Sequence, residues 1–226
     1  MRIFVGLIVA VTAWAGMLTV SVDAKPRTKT KYTYYTISGK SARNLYQQMV
    51  SRGPHVSGDR ALAATSVTTQ QTGELTGKSS CRVRNYKLRM DFTIRLPKVR
   101  NEKTLPPRLR KTWKAFYRFV RRHEQRHRTI WIGCAASIES QVRKIRAKSC
   151  RKVDRLANSI FKKVSASCEK KHDAFDRAEQ KRLARHPLVV AAKRVPRKKL
   201  NTTSRRASGG STSTKAFARG RAADDF

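Results

Sequence analysis

His123 and His127 stand four residues apart, with Glu124 directly after the first, in the stretch "RFVRRHEQRHRTIWIGC" from Arg118 to Cys134. On a helix this spacing puts both imidazoles on one face, one turn apart, where they can share a metal ion. Glu124, one step round, is then placed to take a proton from an attacking water. The chemistry such a trio serves is zinc-dependent hydrolysis of a peptide bond, with His123 and His127 as metal ligands and Glu124 as the catalytic carboxylate. The plainer alternative is a histidine pair hydrogen-bonded to backbone, or half exposed in an arginine-rich helix.

The neighbouring residues favour the metal. At about 100° per residue, Phe116, Val120, Ile130, Trp131, Cys134 and Ile138 span from roughly 20° on one side of His123 to roughly 80° on the other. Arg121, Arg122, Arg126 and Arg128 point elsewhere. The pair therefore lies inside the apolar stripe.

A catalytic zinc needs a third protein ligand. Gly133 is followed by no nearby histidine, so that ligand must come from another element. From Arg108 to about Arg185 the chain reads as helix without a proline. If it turns back near Cys150, antiparallel partners carry numbers summing to about 302, because both helices rise equally per residue. Cys134 then meets Cys168, His123 meets Glu179, and His127 meets Phe175 beside Asp176. Glu179 and Asp176 are the candidate third ligands, with His172 and His186 weaker ones. The two carboxylates can also be read as solvated charges paired with Arg177 and Arg182. The remaining cysteines, Cys81 and Cys150, would tie the hairpin to the strands.

Those strands lie upstream. "KYTYYTISG" alternates as a strand does and stops at Gly39. "SARNLYQQMVSRGP" reads as a short helix capped by Ser41, with Leu45, Met49 and Val50 inward. "ALAATSVTTQQTGEL" and "SCRVRNYKLRMDFTIRLP" follow, the second alternating Cys81, Val83, then Tyr86, Leu88, Met90, Phe92 and Ile94 with basic residues. The expected fold is α+β: an N-terminal antiparallel sheet with a short helix, packed on a long C-terminal helical hairpin that carries the histidine motif.

Residues 1–24 read as a signal peptide, with Arg2, an apolar run and a small-residue site ending at Ala24. Residues 25–185 are expected to form one zinc-protease-like domain. Residues 186–226 are expected to be a basic disordered tail, with too few apolar residues to offset ordering entropy. An even cysteine count in an exported chain favours two disulfides, and a periplasmic or secreted location. No membrane span is expected after signal removal. The formal charge of +38 raises polyanions as partners. No motif supports specific nucleic-acid reading, and the aromatics lie in apolar stripes instead of basic stacking platforms. Anionic envelope polymers, held through the tail, fit better. The function expected is an exported zinc peptidase acting on peptide or protein substrates. The competing expectation is a non-catalytic basic protein that binds envelope polymers or other polyanions, its metal site structural or vestigial.

The stretches "YYTISGKSARNLYQQMVSRGP", "ALAATSV", "CRVRNYKLRMDFTIRLP", Trp113-x-x-Phe116, His123-Glu124-x-x-His127, Ser149-Cys150 and Phe175-Asp176 carry a likeness over roughly Tyr32 to Gln180. On them the chain resembles a bacterial family of domains of unknown function described as predicted secreted zinc-dependent proteases. The resemblance implies zinc, peptidase activity and export. It also implies a Tyr-Asp pair on the last helix and a histidine five residues beyond the aspartate. Here Phe175 replaces the tyrosine and Lys181 stands at the histidine's place. Cys134 and Cys168 are additions to the family pattern.

Overall fold

A computed structural model describes residues 26–56 and 58–194. The expected leader (1–24), and the expected tail from 195 onward, lie outside them. The first strand, β1 (Arg27–Ile37), runs into α1 (Ala42–Arg52). Ser41 caps that helix by accepting from the Asn44 N–H, and Leu45 and Met49 are buried. Val50, expected inward, is 44 % exposed, because it lies about 100° round from Met49 at the border of the apolar stripe. Gly53 closes the helix where no side chain fits: a β-carbon there would meet the Ala61 carbonyl oxygen at 1.9 Å.

After the short ribbon of β2 (His55–Val56) and β3 (Asp59–Arg60), β4 (Ala64–Thr76) and β5 (Cys81–Val99) form a long antiparallel hairpin. β1 adds to the other edge of β5, and it does so in parallel, with Tyr32 opposite Ile94 and Ile37 opposite Val99. The sheet is therefore mixed, which corrects the expected antiparallel arrangement. Alternation encodes which face a side chain takes and says nothing of strand direction. The excursion through α1 supplies the long crossover that parallel pairing requires.

The phase slip in β5, from odd inward positions (Cys81, Val83) to even ones (Tyr86, Leu88), has a local cause. The register with β4 shifts between Thr72 and Glu74, and Asn85 takes a left-handed φ of 53°. The other edge of β5 is covered by β1 only from Arg89, and at Cys81 and Arg82 by β6 (Arg146–Ala147). Between these, helix α2 (Pro107–Arg143) supplies the missing partners. Buried Glu139 accepts from the Leu88 N–H, and Arg143 donates to the Tyr86 carbonyl at 2.8 and 3.1 Å. Replacing Glu139 by alanine should leave the Leu88 N–H unpaired and destabilise the fold by about 2–3 kcal/mol. Urea unfolding of the variant measures this, and a loss within experimental error would mean that water replaces the carboxylate.

α2 turns back through β6 into α3 (Cys150–Ala184), and the pair packs as an antiparallel hairpin against the sheet face bearing Leu88, Met90, Phe92, Ile94 and Leu96. The register follows the equal-rise rule: Cys134 bonds Cys168 and Cys81 bonds Cys150, with Cα–Cα distances of 6.1 and 5.1 Å. Among the described residues no helix is long and apolar enough to cross a membrane. The folded part does not stop at Arg185. His186 caps α4 (Pro187–Lys193), whose Leu188, Val189 and Ala192 are buried, so ordered packing continues to the end of the described residues. Those three apolar residues in one short turn are enough to anchor a segment that the surrounding Lys and Arg make read as tail.

Candidate metal centre

The buried core falls into two clusters. One holds Trp113, Phe116 and Val120 of α2, and the other holds Ala135, Ile138 and Val142. Between them the inward stripe of the same helix carries His123, Glu124 and His127, so titratable groups occupy the junction where neither core excludes them. α3, clamped alongside by Cys134–Cys168, brings Asp176 to the same point.

The three ligand atoms converge. His123 Nε2 and His127 Nε2 are 2.9 Å apart, and they lie 3.2 and 2.9 Å from Asp176 Oδ1. Of the two carboxylates expected to reach the histidines, Asp176 does so. Glu179 lines the adjoining cleft beside His123, but its carboxylate accepts from Arg182 at 2.9 Å. Phe175 packs against both imidazoles, its ring centroid 4.8 Å from that of His123 and 5.2 Å from that of His127. It fills the wall at the place where the resemblance implies a tyrosine.

Burial holds His123 and His127 below the ordinary imidazole value, against the opposing pull of Asp176. Both are therefore neutral at pH 7 and offer lone pairs, as a metal ligand must. Glu124 is 4 % exposed. Burial pushes its carboxyl up to about 7, although the Thr65 hydroxyl, donating to Oε2 at 2.8 Å, pulls the other way. Thr65 comes from β4 and also donates to the Glu124 carbonyl at 3.1 Å, so the sheet orients the carboxylate.

His172 is the residue that sequence reasoning undervalued. Its Nδ1 is 2.7 Å from His127 Nδ1, and burial lowers its own proton affinity. If His127 donates through Nδ1, its Nε2 lone pair faces Asp176 and His123, which is how an outer partner sets a ligand's tautomer. Its placement was legible in one respect: it lies one turn beyond Cys168, which the hairpin register sets against Cys134. His186 takes no part, since it caps α4 and accepts from the Leu188 N–H at 3.2 Å.

The raised Glu124 value has a consequence for stability without metal. A carboxyl whose folded value (about 7) exceeds its ordinary 4.5 binds its proton more tightly in the folded state. Ionisation then costs nothing below about pH 4.5, and the cost grows as pH rises through 7, to about 3 kcal/mol. In metal-free protein at pH 8, Glu124→Gln should raise unfolding stability by about 1–3 kcal/mol, and the gain should vanish below about pH 5. Urea titrations at the two pH values test this; equal stability at pH 8 would show that the carboxylate is solvated.

These features define a mixed α+β protein with four helices among its described residues and a His-His-Asp cluster able to hold a metal ion. The chain belongs to DUF922, a family of bacterial proteins of unknown function, whose model matches residues 32–184. Neither the curated proteins nor the solved structures compared with the chain match it.

Proposed function

We propose that this protein is an exported zinc-dependent peptidase. The observation that carries it is the convergence of His123, His127 and Asp176 beside a buried, oriented Glu124. Tetrahedral zinc with bonds of about 2.0–2.1 Å holds its ligand atoms roughly 3.3 Å apart. The distances of 2.9–3.2 Å found here need only a slight opening. Two imidazoles and one carboxylate suit zinc or iron(II) better than calcium or magnesium. Glu124 favours hydrolysis over oxygen chemistry, because hydrolysis is the reaction that needs a base at that point.

A bound zinc ion would polarise the peptide carbonyl and acidify water. Glu124 accepts a proton from the attacking water as its oxygen adds to the carbonyl carbon. The same carboxyl returns that proton to the departing amine as the C–N bond breaks. Thr65 occupies Oε2, which leaves Oε1 available to accept the proton. The two disulfides support an oxidising, extracytoplasmic setting. Elemental analysis of the purified chain, with fluorescent casein as substrate, tests the proposal. About one zinc per chain and hydrolysis that a chelator abolishes and zinc restores are expected. A chain that takes up no metal on dialysis against zinc overturns it.

One observation favours the non-catalytic alternative. The sheet face turned away from α2 exposes Arg27, Lys29 and Lys31 of β1 beside Lys87, Arg89 and Arg95 of β5, with Asp91 their acidic neighbour. Salt-sensitive retention on an anionic polymer, by a chain that neither holds zinc nor cleaves casein, would support that reading.

A further inference from the structure

The candidate centre opens into a cleft of about 490 Å³ between α1, the approach to β4, and the α2–α3 hairpin. Most of its lining is apolar: Tyr46 and Val50 from α1, Leu62 ahead of β4, Phe119 and Val120 from α2, and Leu183 from α3, with Arg60, Arg177, Glu179 and Gln180 also bordering it. His123 and Glu124 line the same space. On a chain of formal charge +38, a mainly apolar lining favours an apolar group over a charged one in this part of the cleft. Two of the charged residues bordering it are held by neighbours, Arg60 by the Gly53 carbonyl at 2.9 Å and Glu179 by Arg182.

A second observation identifies what kind of molecule that occupant belongs to. β4 pairs with β5 on one side, and among the described residues no strand pairs with its other side. An open strand edge offers main-chain N–H and C=O groups to an extended peptide. β4 begins at Ala64, two residues beyond Leu62, and its next residue, Thr65, holds Glu124. Open edge, apolar cleft and carboxylate are therefore contiguous. We infer that the cleft receives an apolar side chain, aromatic or long aliphatic, of an extended peptide that pairs with β4, adjacent to the bond that Glu124 serves. This rests on the zinc-peptidase reading.

The test uses two zinc-chelating hydroxamates, one carrying a benzyl and one a methyl side chain, titrated into the zinc-loaded full chain. The benzyl compound should bind at least ~10-fold tighter, from burial of its ring. Val50→Glu, which sets a charge in the wall, should cut that advantage to less than about threefold while zinc stoichiometry and methyl-compound affinity stay at wild-type values. Should that variant fail to hold zinc, Val50→Thr keeps the shape, adds a hydroxyl, and should lower the advantage by about threefold. Equal or undetectable affinities for the two compounds, with one zinc bound, overturn the cleft assignment and leave the metal site standing. An advantage unchanged in the variants overturns it too. A wild-type chain that holds no zinc overturns both readings.

Discussion

Replacing His123 or His127 by alanine is expected to take zinc content from about one ion per chain to near zero. Each imidazole provides one of three converging ligand atoms, and two remaining donors cannot close a tetrahedral site around an ion that water also solvates well. Asp176→Ala should weaken binding strongly for the same reason, because its Oδ1 is within 3.2 Å of both histidine nitrogens. His172→Ala should leave binding detectable but about 10–100-fold weaker, the usual effect of removing an outer partner. Glu179→Ala should stay within about twofold of wild type, since its carboxylate is engaged by Arg182. Competition with a chromophoric chelator measures all five. Stoichiometric zinc in the His123/His127 double variant would sink the site, and a Glu179→Ala loss as large as that of Asp176→Ala would exchange the two carboxylates' roles.

Glu124→Gln should leave zinc content unchanged and lower casein hydrolysis by roughly 10²–10⁴-fold, the contribution typical of a positioned general base. The amide keeps the shape and can still accept from Thr65, but it cannot take a proton from water. The fall should appear in kcat, with KM little changed, because the proton transfer belongs to the transition state. The same variant is expected to be the more stable protein at pH 8 when metal is absent. Lower activity joined to higher stability distinguishes a base held under strain from a residue that merely props the fold. Wild-type rates in Glu124→Gln would refute the mechanism outright.

Much of the arrangement was legible because it depends on local periodicity. Spacing on α2 alone puts His123 and His127 on one face inside an apolar stripe. Equal rise per residue along two antiparallel helices is enough to pair Cys134 with Cys168 and to carry Phe175 and Asp176 to His127. The Ser41 cap and the alternation along β5 are likewise properties of neighbouring residues.

Other features were decided only in three dimensions. Strand direction is not encoded by alternation, so the parallel seating of β1 on β5 followed from the α1 crossover. Asp176 and Glu179 lie three residues apart on one helix, and only side-chain direction and the nearby Arg182 separate a carboxylate facing the histidines from one that is already paired. Val50 sits at the border of a helical stripe, and whether that border is core or cleft depends on what packs beside it, here Leu62 and Leu183. α4 reads as tail because its flanks are basic, yet α1 offers a surface on which Leu188 and Val189 can be buried. A residue's own neighbours in the chain determine its face. Its partners are set by which distant surface remains to be covered, and that is a property of the whole packed molecule.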